Sequence, residues 1–320
     1  MRPLRHNSSV IFASQFSSTG LQSIAAQNAL DPLDLVKLAP LMRIASGRTT
    51  TRVALIDGPV ATTHPELSGT KIIELSGKIG GTCQRATSLA CMHGTFVAGI
   101  LSAKRGSGAP AICPDCTLIV RPIFPETTSA NGQMPSATPE ELASAIIECI
   151  DAGAHVINLS AALANPSAKG ERRLEEALSY CARRSVIVVA AAGNQAAVGS
   201  SAITQHPWVI PVIASDRRGR PISYSNLGSS IGRQGLSAPG ERITSLAING
   251  PAPAFGGTSA AAPFVTGAIA LLLSVFPSVT AAAVKLAITT AAGARRTTVV
   301  PPLLNAWAAY QALLTTHSKS

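Results

Sequence analysis

Short apolar runs alternate with helical stretches along most of this chain, and this alternation limits the possible fold more than any other feature. The runs hold four to six residues each and are rich in Val, Ile and Ala: 53–56, 117–120, 156–159, 186–191 and 209–214. Helical patterns lie between them at 93–103, 140–152 and 172–183, and three more follow at 256–276, 280–291 and 303–314. Because a continuous apolar run suits a strand buried on both faces, the pattern predicts an α/β fold with a mostly parallel central sheet flanked by helices.

A change of composition near residue 30 divides the chain. Residues 1–30 are rich in Ser, Gln and Asn without a sustained period, which predicts a loose N-terminal extension. We expect residues 31–320 to form one domain, because no repeat or linker interrupts them and 46% of the chain is hydrophobic. No apolar run has the length of a membrane-spanning helix or of a secretory signal. We therefore expect a cytoplasmic protein without a membrane partner.

The net charge of +10 first suggests a nucleic-acid partner. The basic residues are scattered, however, and no run of them is longer than two. The aromatic residues, 4% of the chain, are too few to stack on unpaired bases. We therefore predict no specific nucleic-acid binding, and a basic surface that favours an acidic partner.

Three polar residues lie at positions where open α/β sheets usually carry catalytic groups. Asp57 ends an apolar run, His93 opens a helical stretch, and Ser259 enters a long apolar helix from a glycine-flanked loop. Each of them alone has an ordinary structural explanation as a turn former or a helix cap. Their order along the chain makes three such coincidences improbable. A hydroxyl at a helix N-terminus also gains from the free N–H groups around it.

The motifs around these residues resemble those of the subtilisin-like serine peptidases. HGTFVAGI contains His93, GTSAAAP contains Ser259, and AAAGN ends at Asn194, while VINLSAAL and LSAPG follow the family pattern in the same order. The resemblance implies a subtilisin-like three-layer fold and a serine endopeptidase whose catalytic triad is Asp57, His93 and Ser259. It also implies an oxyanion hole at Asn194. The substrate-binding strand that it implies consists of Leu159, Ser160, Ala161 and Ala162.

Two positions depart from the family pattern. Gly58 and Pro59 follow the acid where Ser or Thr is usual, and Ala161-Ala162 stands where Leu-Gly is commoner. With the sequence HPEL at 64–67, the Asp-Gly-Pro variant resembles the proteases that cleave leader peptides in cyanobactin-type pathways. This narrower resemblance implies a precursor or leader peptide as the substrate. The alternatives are a catalytically idle member that binds peptides, and an esterase or acyl-transferring enzyme with the same machinery.

The six cysteines leave several arrangements open. Cys83 with Cys91 and Cys113 with Cys116 are close enough in sequence for two local disulfides, which we favour over a zinc site formed by all four. A cytoplasmic location argues instead for free thiols. We expect Cys149 and Cys181 to be buried packing residues on helices.

The sequence predicts no metal and no cofactor, only a peptide or protein substrate. Between Cys83 and Glu126 the only acidic residues are Asp115 and Glu126 itself, too few for a strong calcium site. The connection at 125–139 is much longer than is usual between a strand and a helix. We expect it to form one wall of the substrate groove, where its backbone would pair with an extended peptide.

Overall fold

The computed structural model describes residues 9–13, 15–16, 30–75, 77, 79–126, 135–163, 171–249, 254–291 and 298–317. Within these ranges the strands are β1 (Val10–Phe12), β2 (Gln15–Phe16), β3 (Arg52–Asp57), β4 (Ile72–Glu74), β5 (Thr117–Pro122), β6 (Ser136–Ala137), β7 (Val156–Leu159), β8 (Ala161–Leu163), β9 (Ile187–Ala191), β10 (Val209–Ser215), β11 (Leu236–Pro239), β12 (Ile243–Thr244) and β13 (Ala254–Gly256). The helices are α1 (Pro32–Leu35), α2 (Leu38–Ile44), α3 (Leu89–Ser102), α4 (Pro139–Asp151), α5 (Arg172–Arg183), α6 (Ala202–Gln205), α7 (Ser229–Gln234), α8 (Thr258–Val275), α9 (Ala281–Thr290) and α10 (Ala306–His317).

A seven-stranded sheet forms the centre of the protein, in the order β11-β10-β9-β7-β3-β5-β4. Every neighbouring pair in it is parallel. All five apolar runs of the sequence lie in this sheet, so the predicted α/β fold with a mostly parallel sheet is confirmed.

Helices cover both faces of the sheet and create two apolar cores. Along β3, Val53 and Leu55 belong to the core that contains α3 and α8, whereas Ala54 and Ile56 belong to the core of α4 and α5. Successive residues of a strand point to opposite faces, so a strand between two helical layers must be apolar throughout. This requirement explains why the runs in the sequence are continuous.

The helix α8 runs through the first of these cores. Its length and mean hydropathy of 1.7 would allow it to cross a membrane, but 89% of it is buried within the protein. It is therefore a core helix. Its N-terminus lies at the carboxyl edge of the sheet, where β3 also ends.

The helix that carries His93 begins earlier than the sequence predicted. The helix predicted to begin at His93 begins one turn earlier at Leu89, because Ser88 caps it by accepting a hydrogen bond from the Cys91 N–H. His93 is therefore in the second turn and does not open the helix. Lys37, which has a φ of 54°, separates α1 from α2. The Thr138 hydroxyl caps α4 by accepting a hydrogen bond from the Glu141 N–H.

Part of the predicted loose extension is ordered. The strand β1 lies antiparallel between β6 and β8, and β2 pairs with β13, which pairs in turn with β12. The prediction of a loose segment is therefore wrong for Val10–Phe12 and Gln15–Phe16. These strands are ordered by backbone hydrogen bonds to other parts of the chain. Backbone pairing does not require a hydrophobic period, so their own sequence gave no sign of a strand. The rest of residues 1–29 lies outside the described ranges.

Candidate active site

The structure brings the three predicted catalytic side chains together. The Nδ1 of His93 lies 2.7 Å from Oδ1 of Asp57, and its Nε2 lies 3.0 Å from Oγ of Ser259. All three residues are at most 1% exposed. Asp57 ends β3, His93 lies on α3, and Ser259 is the second residue of α8. This arrangement allows the imidazole to take the hydroxyl proton while the carboxylate holds its other nitrogen.

Two glycines fix the approach of α3 to the end of β3. A Cβ on Gly94 would lie 2.4 Å from the carbonyl oxygen of Gly58 and 2.5 Å from that of Pro59. A Cβ on Gly58 would lie 2.1 Å from the carbonyl oxygen of Ala90. The unusual residue after Asp57 therefore has a steric reason, because a side chain there would push the histidine helix away. Its N–H also donates to Oδ1 of Asp57, at 2.7 Å.

The start of α8 presents two hydrogen-bond donors. Gly257, which precedes the helix, has a φ of 112°, a conformation that favours glycine. The Oδ1 of Asn194 accepts from the Thr258 N–H at 3.1 Å, which fixes the amide. The Nδ2 of Asn194 is buried and makes no hydrogen bond within the described part of the chain. Together with the N–H of Ser259, this amide can stabilise a developing oxyanion.

A series of buried hydrogen bonds connects the predicted substrate-binding strand to α8. The sequence motifs alone did not indicate this series. Thr266 donates to Oδ1 of Asn158, Nδ2 of Asn158 donates to Oγ of Ser160, and Ser160 donates to the carbonyl of Ser259. The distances are 2.8, 2.7 and 3.1 Å. The signal in the sequence was Asn158 itself, a polar residue within an otherwise apolar run.

The four predicted substrate-binding residues separate into two groups. Ala161 and Ala162 belong to β8, whose backbone pairs with β1, and Ser160 stands between β7 and β8. Leu159 differs from the other three. Its side chain is fully buried in the core of α4 and α5, and the residue lies between β3 and β9 in the central sheet. Its side chain therefore packs the core, and its assignment to substrate binding stays a prediction.

The described part of the predicted wall lies across β1 from β8. Residues 127–134 of the segment 125–139 lie outside the described ranges. Ser136 and Ala137 form β6, which faces β8 across β1. The segment thus supplies one of two strand edges that are aligned for pairing with an extended chain.

The cysteines adopt a mixed arrangement. Cys83 and Cys91 form a disulfide, one of the arrangements that the sequence left open, and it ties a loop to the start of α3. Cys113 and Cys116 are free and buried instead, which is the alternative arrangement for that pair. Their sulfurs share a hydrogen bond, which raises the pKa of Cys113 and lowers that of Cys116. No group of three or more potential metal ligands is present among the described residues.

The remaining two cysteines are packing residues, as predicted. Cys149 on α4 and Cys181 on α5 are fully buried in the core on that face of the sheet. Burial raises the pKa of Cys149 strongly and that of Cys181 to about 12. Both thiols therefore stay protonated at neutral pH.

Comparison with known proteins gives a consistent result. The profile of the subtilase family, Peptidase_S8, matches residues 48–310. A thermophilic serine proteinase of Bacillus sp. (strain AK1) is 33% identical over 234 residues, 72% of this chain and 54% of that protein. Subtilisin DY of Bacillus licheniformis is 30% identical over 239 residues, 73% of this chain and 80% of that protein. The chain thus spans from about half to four fifths of the length of these relatives.

Two solved structures are similar over nearly their whole length. The protease domain of PatA, as a mutant, superposes with a TM-score of 0.76 and 30% identity, covering 85% of this chain and 98% of that one. The prenylagaramide maturation protease PagA has a TM-score of 0.75 and 28% identity, with 86% and 98% covered. The PatG macrocyclase domain, at 23% identity and a TM-score of 0.75, shares the fold.

Proposed function

This chain belongs to the subtilase family of serine peptidases, and from that premise we propose that it is an endopeptidase that works through Asp57, His93 and Ser259. The observation that carries the proposal is the continuous hydrogen-bonded row of these three side chains. A catalytically idle relative has no need to keep all three groups buried and in contact. The proposal covers the reaction, the residues and the class of substrate.

The reaction begins with attack of the Ser259 hydroxyl on a peptide carbonyl. His93 accepts the proton through Nε2 and later delivers it to the leaving amine, which leaves an acyl group on Ser259. Asp57 holds the Nδ1–H tautomer and stabilises the imidazolium that forms. A water molecule, activated by His93 in the same way, then releases the acid product.

Charge that develops on the carbonyl oxygen is stabilised by two donors. The Ser259 N–H belongs to the first turn of α8, where backbone N–H groups lack partners within the helix. The Nδ2 of Asn194 is buried and the Oδ1 accepts from the Thr258 N–H, so Nδ2 needs little reorganisation to reach an oxyanion. Asn194 follows the end of β9, and Ser259 lies in the first turn of α8.

The substrate that we propose is a precursor peptide from which a leader is removed. The similarity to the PatA protease domain and to the maturation protease PagA supports this choice, since both structures are matched over 98% of their length. The Asp57-Gly58-Pro59 variant, with its close packing against α3, supports it as well. An excess of basic residues, with a net charge of +10, favours an acidic peptide.

Two measurements test the proposal. A fluorophosphonate probe should label the wild-type protein and fail to label Ser259→Ala, which should keep its melting temperature because only one hydroxyl is lost. Peptide turnover should disappear in the same variant. Absence of labelling would favour the idle peptide-binding alternative, and turnover of esters without turnover of peptides would favour the esterase alternative.

A further inference from the structure

The loop that carries Asn194 is held in place by a second asparagine, Asn226. We propose that Asn226 is a positioning residue for the reaction, which fixes this loop so that the Asn194 amide already points at the site of the oxyanion when the substrate binds. Asn226 acts through Asn194 and makes no contact with the substrate in this role. The inference rests on the proposed function, in which Asn194 stabilises the oxyanion.

Two neighbouring strands bring the asparagines together. The loop of Asn194 follows β9, and Asn226 lies in the connection between β10 and α7. Because β9 and β10 are parallel neighbours in the central sheet, both connections leave the sheet at its carboxyl edge. The two connections are also joined through the backbone. The N–H of Asn226 donates to the carbonyl oxygen of Gly193, the residue directly before Asn194, at 2.9 Å.

The side chain of Asn226 makes four hydrogen bonds within the described part of the chain, all of them to the loop of Asn194. Its Oδ1 accepts from the N–H groups of Gln195 and Ala197, at 3.0 Å each. Its Nδ2 donates to the carbonyl oxygen of Ala192, at 3.1 Å, and to Oε1 of Gln195. A side-chain amide has two donors and two acceptor lone pairs, so this capacity is fully used. Residues on both sides of Asn194 are therefore bound to one side chain.

Burial of Asn226 is what makes these bonds decisive. The residue is 4% exposed, whereas Gln195 and Ala196 in the loop are exposed to solvent. A shift of the loop would leave a buried amide without partners, which is costly, so the amide resists such a shift. Ala196 has a φ of 52°, in the left-handed region that an alanine rarely adopts. Such a conformation persists only where the surroundings determine it, and Asn226 binds the residues on either side.

The loop is also held from its other side. A Cβ on Gly193 would lie 2.3 Å from Nδ2 of Asn226, so the backbone and the amide are in close contact. The Gly193 N–H donates to Oγ1 of Thr258 at 3.1 Å, and the Thr258 N–H donates to Oδ1 of Asn194. The loop is thus fixed between Asn226 and the start of α8, the helix that carries Ser259.

The direction of the Asn194 amide depends on this support. Its Nδ2 is buried and has no hydrogen-bond partner among the described residues, so the bond at Oδ1 and the backbone of the loop direct it. A donor stabilises a developing charge best when it needs no reorganisation during the reaction. A displacement of about 1 Å at such a site can cost about 100-fold in rate. Loss of Asn226 should therefore impair the reaction through Asn194.

The experiment is a double-mutant cycle that combines Asn226→Leu with Asn194→Ala and measures peptide turnover. Leucine fills a similar volume and makes no hydrogen bond. Asn226→Leu alone should lower kcat by about 10–100-fold and change KM by less than about twofold, because the oxyanion exists only in the transition state. In the Asn194→Ala background the same change should lower kcat by less than about threefold, because the group that it positions is absent. Equal losses in both backgrounds would overturn the inference.

Two further variants make the result independent of a general loss of stability. Asn305→Leu is the matched control, because Asn305 also accepts from a backbone N–H, that of Ala308, and lies on the connection before α10. It should keep the wild-type kcat. Asn226→Ser is neutral and smaller, and its hydroxyl cannot reach all four partners, so it should lower kcat less than Asn226→Leu does. If Asn226→Leu does not fold, Asn226→Ser takes its place in the cycle, and a wild-type kcat for it would contradict the inference.

The same measurements separate this inference from the proposed function. If Asn194→Ala lowers kcat and Asn226→Leu does not, the positioning role is wrong and the peptidase function stands. If the wild-type protein hydrolyses no peptide, or if Asn194→Ala keeps the wild-type kcat, the proposed function fails and this inference fails with it.

Discussion

Contacts between single atoms decide the geometry of the site at the residue scale. The distance between Asp57 and His93 depends on how closely α3 approaches the end of β3. Gly58 and Gly94 meet at that point with no room for a Cβ on either. Because the clash would be with backbone carbonyl oxygens, a flexible side chain cannot move aside to relieve it.

Gly94→Ala should therefore reduce activity. We expect kcat/KM for a peptide to fall by about 10–100-fold, because the shift needed to relieve the clash moves His93 away from its two partners. Steady-state kinetics measure the effect, with Gly199→Ala as the control, since a Cβ there has nothing within 4 Å. Equal rates for both variants would show that the close approach has no role in catalysis.

Asn194→Ala should lower kcat with little change in KM. The amide acts on charge that appears only in the transition state, so its loss should cost about 10²–10³-fold in kcat, the magnitude known for this donor in subtilisin. Asn305→Ala removes another asparagine that accepts from a helix N-terminus, the Ala308 N–H, and serves as the control. A loss confined to KM would place Asn194 in ground-state binding.

At the scale of secondary structure, a network of ion pairs connects β5 with α4. Arg121 on β5 is 1% exposed, and it contacts Glu148 at 2.6 Å and Glu141 at 2.8 Å, both on α4. The long connection between β5 and α4 thus starts and ends on elements that are fastened to each other. The strand β6 lies in this connection, just before α4.

Arg121→Met should lower the free energy of unfolding by about 1–3 kcal/mol. Loss of a buried guanidinium leaves two carboxylates without their partner, but Glu148 is 42% exposed and solvent reduces the cost. Urea unfolding gives the value, and Arg172→Met is the control, because its pair with Glu176 is exposed and worth less than about 0.5 kcal/mol. Equal effects would mean that burial of Arg121 adds nothing.

The features that were best predicted from the sequence are those that depend only on the residues of one segment. Strands buried on both faces must be continuous apolar runs, so the central sheet was evident, and Asp57, His93 and Ser259 stand in distinctive local motifs. Order that depends on a partner was not predictable. The strands β1 and β2 exist only through pairing, and the burial of Leu159 follows from its neighbours in the sheet. The spacing of Cys113 and Cys116 likewise did not reveal that both are free in the folded chain.

The stability of the whole molecule should not depend on a metal ion. No cluster of three or more potential ligands occurs in the described ranges, and acidic residues are scarce throughout the sequence. Addition of EDTA should therefore leave the melting temperature, measured by calorimetry, unchanged to within about 2 °C. A fall of about 10 °C or more would correspond to several kcal/mol of binding energy and would reveal a site.

The position of β1 also determines how a separate peptide would compete for the strand edges of β6 and β8. Because β1 is part of the same chain, its effective concentration is set by its linkage and does not change when the solution is diluted. A separate peptide that pairs with these edges must displace β1 first, so its apparent affinity is reduced by the fraction of molecules in which β1 is away. Dilution of the protein would leave that fraction unchanged.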